Sequence, residues 1–144
     1  MKKYLGIDLG SKSLGLAIST SGIIANSYQT LYFKEDNYHD AAHIINELIK
    51  SEGFTDIVIG LPKHMNNDLG IRGQISVDFK TLLEASNPEI NVVLWDERTS
   101  TKAALKTLIA GKQTRKKQKN KKDEVAATII LQNYLNYKEK NNYE

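Results

Sequence analysis

Three acids in this 144-residue chain stand out because of where they fall. Asp8 lies inside the apolar alternation Tyr4-Leu5-Gly6-Ile7-Asp8-Leu9, Glu97 follows the apolar run from Asn91 to Trp95, and Asp123 opens the apolar periodicity of the C-terminal segment. An unpaired carboxylate in apolar surroundings is costly unless it is hydrogen-bonded, protonated or bound to a cation. Three acids on three separate elements, two of them facing the interior, point to an oxygen-ligand site for Mg²⁺ or Mn²⁺. Such a site suits phosphodiester hydrolysis, where divalent cations stabilise the entering and leaving oxygens and a carboxylate orients the water.

Each acid also has a plainer use. Asp123 is a good N-cap or first-turn acid for the last helix. Glu97 or Asp96 could pair with Arg98, and Asp8 could bond Ser11 or Ser13 across a turn. Strand alternation puts Glu97 on the face of Val93 and Trp95, and Asp96 on the face of Val92 and Leu94. Both could reach a site at the strand end, and the pattern alone does not choose between them. At about 100° per residue, Ala126, Ala127, Ile130, Tyr134 and Tyr137 fall within about 60° of Asp123, so Asp123 heads the face expected to pack on a sheet. Glu124 is turned away by about 100° and reads as solvated.

The charge is unevenly spread. The formal net charge is +3, yet Lys112, Arg115, Lys116, Lys117, Lys119, Lys121 and Lys122 fall together with no acid among them. Without these seven, thirteen basic residues face seventeen acidic ones, a balance of −4. Blocks of like charge solvate a loop or meet a polyanion. The expectation is a flexible basic loop at 112–122 that grips a phosphate backbone beside Asp123. Arg98 adds a donor fork suited to phosphate, and Ser11 and Lys12 stand on the turn after Asp8, where a scissile strand would approach. His39 and His43 have i,i+4 spacing but no third ligand, and with His64 they are read as surface residues. The absence of cysteine excludes disulfides, thiolate metal sites and thiol catalysis. The N-terminus MKKYLGIDLG lacks a signal-peptide core, and no window approaches the ~18 to 20 apolar residues of a membrane span. The expected setting is the cytoplasm, with nucleic acid as partner, no membrane association, and a monomer or homodimer.

The elements that must position these groups follow from periodicity. Lys3 to Leu9 and Leu14 to Ile18 alternate as two strands around the turn Gly10-Ser11-Lys12-Ser13, and a third β-rich stretch runs from Ile23 to Phe33. Asn37 to Glu52 has helical spacing and ends at Gly53. Asp56 to Gly60 reads as a buried strand returning parallel to the first. A second helix carries Ile71, Ile75, Phe79, Leu82 and Leu83 and stops near Asn87-Pro88. Asn91 to Trp95 is another buried strand, with Trp95 as a core residue. A third helix spans Thr101 to Ala110 and stops at Gly111, and a last one runs from about Asp123 to Tyr137. The sum is one α/β domain over residues 1–144 with a mixed sheet.

Taken in order, GIDLGSKSLGLAIS at 6–19, IVIGLP at 57–62, WDERTST at 95–101 and KDEVAATIILQNYL at 122–135 resemble the YqgF family, described as pre-16S ribosomal RNA nucleases or Holliday junction resolvase-like proteins. The resemblance implies an RNase H-like fold with a central five-stranded mixed sheet flanked by helices. It also implies that Asp8, Glu97 and Asp123 form the acidic, metal-binding and catalytic triad, which selects Glu97 over Asp96. The function so implied is a metal-dependent endonuclease that processes precursor 16S ribosomal RNA. Two rivals stand beside it: a Holliday junction resolvase, and a non-catalytic RNA-binding factor in ribosome assembly. Actin-like ATPases share a glycine-rich first hairpin, but their two-domain arrangement requires a far longer chain.

Overall fold

The first twenty residues form a hairpin, two β-forming runs joined by the turn Gly10-Ser11-Lys12. The computed structural model describes residues 2–62, 70–96 and 115–142, with the side chains of the last segment described from 124 to 139. Within them the elements are β1 (Tyr4–Leu9), β2 (Ser13–Ser19), β3 (Asn26–Tyr32), α1 (Tyr38–Glu52), β4 (Asp56–Leu61), α2 (Gly70–Ser86), β5 (Asn91–Asp96) and α3 (Arg115–Asn142). The helix expected from Thr101 to Ala110 lies outside the described residues.

The five strands form one sheet in the order β3-β2-β1-β4-β5. β2 pairs antiparallel with both β1 and β3, whereas β4 runs parallel to β1 and β5 parallel to β4. This is the expected mixed sheet. Parallel pairing requires a crossover element, and α1 and α2 supply the two crossovers, β3 to β4 and β4 to β5.

Both faces of the sheet are covered. Leu5, Ile7 and Leu9 of β1 join Ile57, Ile59 and Val92 in a core closed by Ala41, Ala42, Ile45 and Ile49 of α1 and by Phe79 and Leu83 of α2. Each fully buried side chain such as Phe79 contributes roughly 1.5–3 kcal/mol relative to exposure. On the other face Tyr4, Ala17 and Val58 pack against Ala127, Ile130, Leu131, Tyr134 and Leu135 of α3, with Val93 and Trp95 at the border. Trp95 meets Tyr134 edge-on at 5.7 Å between ring centroids, so its packing role is as expected.

Helix limits follow local chemistry. Asn37 caps α1 by accepting from the Asp40 amide at 3.1 Å. Gly53 ends it with φ 72, a left-handed conformation that costs glycine little, and its amide returns to the Ile49 carbonyl at 2.9 Å.

One expectation needs correction. α3 begins at Arg115 rather than near Asp123, so residues 115–122 of the expected basic loop are helical. Lysine, arginine and glutamine are good helix formers and no proline or glycine interrupts the stretch, so the downstream helix propagates through it. The expected face of this helix is packed: Ala127, Ile130 and Tyr134 are buried and Leu131 and Leu135 extend it, while Tyr137 is 54% exposed. The packed stripe is centred about 50° from position 123, which lies within it. Among the described residues no helix is long and apolar enough to cross a membrane.

Candidate active site

The site is built from the middle of the sheet outward. In β1, Tyr4 belongs to the core under α3 and Leu5 to the opposite core, so alternation sends Gly6 and Asp8 toward α3. Asp8 is half-buried one residue from the end of the strand. Its partner on β2 is Gly15. On the other side the β1–β4 register runs from Tyr4↔Asp56 to Ile7↔Ile59, and one further residue brings Gly60 alongside. The carboxylate thus stands between two residues that have no side chains. A carboxylate oxygen is a donor suited to a hard divalent cation.

α3 runs over this face antiparallel to β1. A Cβ at Gly6 would lie 2.8 Å from Leu131 Cβ and 3.1 Å from the Ala127 carbonyl oxygen, so helix and strand are in closest approach there. At the strand's other end Lys138 Nζ donates to the Tyr4 hydroxyl at 3.1 Å. Two strand residues from Gly6 to Asp8 advance about 6.6 Å, or roughly four helix residues back from the Ala127–Leu131 contact. The stretch of α3 beside Asp8 therefore contains position 123.

The helix rotation adds a direction. Thr128 and Gln132 meet β3 and its approach, through Ser27 Oγ at 3.0 Å and the Ala25 amide at 2.8 Å. Tyr134 and Tyr137 meet Trp95 of β5. Helical position 123 falls on the β5 side of the packed stripe. The Asp123 side chain itself is outside what is described, as are those of Arg115, Lys116, Lys117, Lys119, Lys121 and Lys122. Glu97, Arg98 and Lys112 lie outside the described residues altogether.

The sheet faces also assign Asp96, at the end of β5, to a side. Val92 and Leu94 pack in the α1–α2 core, while Val93 and Trp95 pack against the α3 core. Asp96, paired with Leu61, continues the α1–α2 face and so lies on the opposite side of the sheet from Asp8. Among the described residues no three histidines, acids or cysteines cluster as a metal site.

The turn after Asp8 is held by its backbone. Gly10 N–H donates to the Ser13 carbonyl at 2.8 Å, Phe33 N–H to the Lys12 carbonyl at 3.0 Å and Asp36 N–H to the Ser11 carbonyl at 2.7 Å. Lys12 projects into solvent and Ser11 is half-buried. The sequence reading missed Gly15 and Gly60 as neighbours of Asp8. Counting the hairpin register across the turn finds the first, and no sequence signal gives the second.

A family model described as RuvX, Holliday junction resolvase, matches residues 2–137. The chain belongs to the RuvX family. Among its relatives, a protein of Onion yellows phytoplasma (strain OY-M) is 47% identical over 133 residues, 92% of this chain and 88% of that one. Another, from Staphylococcus saprophyticus, is 40% identical over 134 residues, covering 92% and 94%. Both are named pre-16S rRNA nuclease. Among solved structures, Thermus thermophilus RuvC in complex with a Holliday junction substrate superposes with a TM-score of 0.63 over 97% of each chain at 14% identity. That likeness establishes the RNase H-like fold. The RuvX family is one of nucleases, hydrolases that act on phosphodiester bonds.

Proposed function

We propose that this RuvX-family chain is a metal-dependent endonuclease that processes precursor 16S ribosomal RNA, with Asp8, Glu97 and Asp123 as its acidic triad. The observation that carries the reading is Asp8: an acid on the α3-covered face of the central strand, at its C-terminal end, paired with Gly15 and one residue past the last β1–β4 pair. The substrate assignment is supported by the names of relatives that share 40% or more of the sequence over nearly the whole chain.

Asp8, Glu97 and Asp123 would hold Mg²⁺ or Mn²⁺ in an all-oxygen shell. Bound there, such a cation offsets charge on the phosphoryl oxygens and lowers the pKa of water. Glu97 would orient the attacking water. Arg98 and the basic residues from Lys112 to Lys122 hold the phosphate backbone, with Ser11 and Lys12 at the opposite lip. These contacts provide affinity without reading sequence. The reading places the protein in the cytoplasm, where precursor ribosomal RNA is made.

A second reading, resolution of four-way DNA junctions, is favoured by the family's own description. It requires two symmetric cuts and therefore two copies of the site. Incubation of wild type and Asp8→Asn with precursor 16S RNA and with a synthetic four-way junction, in Mg²⁺ or Mn²⁺, separates the readings. RNA cleavage lost in Asp8→Asn is the expected result. Paired symmetric cuts in the junction with intact RNA favour the second reading, and equal cleavage by both proteins overturns the site.

A further inference from the structure

We propose that Arg72 is a positioning residue for Asp8, acting through the backbone of the turn that follows it; the proposal rests on the nuclease reading. Arg72 stands in the first turn of α2, on the sheet face opposite Asp8. Its Nη2 donates to the Leu9 carbonyl at 2.9 Å, and its Nη1 donates to the Tyr38 hydroxyl at 3.2 Å. The Tyr38 hydroxyl donates in turn to Asp36 Oδ1 at 3.3 Å, and the Asp36 amide donates to the Ser11 carbonyl at 2.7 Å.

These four bonds close a ring, from Leu9 through Arg72, Tyr38 and Asp36 back to Ser11. The chain enclosed by the ring is the start of the turn, Leu9-Gly10-Ser11, directly after Asp8. The registered β1–β4 pairs end at Ile7↔Ile59, so the Leu9 carbonyl is beyond the last parallel pair. A guanidinium is always charged and planar, and one that bridges two acceptors fixes their spacing as well as binding them. Asp36 has φ 61, a left-handed backbone uncommon outside glycine, and the ring contains both its amide and its carboxylate. Three segments meet there: the end of β1, the entry to α1, and the start of α2.

Position matters because the strand end on which Asp8 sits has a glycine beside it and another two residues on. A displacement near 1 Å at a reacting group costs on the order of 100-fold in rate.

The test uses the full chain with Arg72→Ala and Arg72→Lys, read by amide hydrogen exchange and by steady-state cleavage of precursor 16S RNA in Mn²⁺. Arg72→Ala should speed exchange at Gly10 and Asp36 by about tenfold or more while leaving Ile57 to Ile59 of β4 protected, since local opening need not follow global opening. It should lower kcat about 10- to 100-fold with KM within about twofold, and Arg72→Lys should recover part of both changes. Unchanged exchange at Gly10 and Asp36 overturns the bracing role. A loss confined to KM makes Arg72 a substrate contact instead, and exchange that rises equally throughout the sheet makes it a general stabiliser; either result overturns the proposal. No cleavage by wild type overturns the nuclease reading, and the catalytic part of this proposal with it, a result distinct from unchanged exchange.

Discussion

Gly6→Ala tests whether the contact between α3 and β1 sets the geometry of the site. The added Cβ would stand 2.8 Å from Leu131 Cβ, against the 3.4 Å at which ordinary contact begins, and 3.1 Å from the Ala127 carbonyl oxygen. Neither atom can rotate away, because one is the root of a fully buried side chain and the other is helix backbone. The helix must therefore lift by about 0.6 Å at this point, and overpacking of this kind costs roughly 1–3 kcal/mol. For a chain of this size that corresponds to a Tm lower by roughly 3–10 °C. Catalytic groups tolerate displacements of only about 0.5 Å, so a lift that carries position 123 away from Asp8 should reduce kcat by roughly 10- to 100-fold. Differential scanning fluorimetry and single-turnover cleavage of precursor 16S RNA, at a temperature where both proteins are folded, give the two numbers. An unchanged Tm refutes the close approach of helix and strand. A lowered Tm with wild-type cleavage refutes the claim that this contact positions the acids.

Two further outcomes follow from particular residues. As a helix, 115–122 distributes its charges around the axis, and only Arg115, Lys116, Lys119 and Lys122 occupy positions within about 100° of Asp123. Four phosphate contacts predict that log affinity for single-stranded RNA falls against log salt with a slope of about −3, and a slope shallower than about −1 removes the basic run from the interface. At the other end of α3, the Tyr4 hydroxyl beside Lys138 raises the pKa of its ammonium above the ordinary lysine value. A raised lysine pKa adds stability that is complete below the unfolded value of about 10.5 and is lost as pH rises through the folded one. NMR titration should place the Lys138 midpoint above that of free lysine and return it toward that value in Tyr4→Phe; equal midpoints in the two proteins would refute the contact.

Much of the fold is legible in the chain because its signals are local. Apolar alternation marks β1 and β2, Asn37 and Gly53 mark the ends of α1, and the short apolar runs at Asp56 and Asn91 mark buried parallel strands. The start of α3 is less legible, because seven close positive charges resemble a solvated loop when the helix that continues them is not considered. Asp8 stands out in the sequence as an acid within an apolar strand. That Glu97 and Asp123 belong with it remains a reading of sequence pattern and family, since neither side chain is among those described.

The sequence by itself therefore determined the periodicities, the caps and the suspicion attached to three acids, all properties of residues a few positions apart. Tertiary structure decided that Asp8 and Asp96 stand on opposite sides of the sheet. Asp96 is one residue from Glu97 in sequence, yet it lies on the opposite face of the sheet from Asp8. Gly15 and Gly60 became neighbours of Asp8 through strand register, and Arg72 reached the end of β1 from 63 residues away. Register and face arise from pairwise contacts between distant segments, each selected because the alternatives would bury a charge or expose a core, and no local pattern contains that choice.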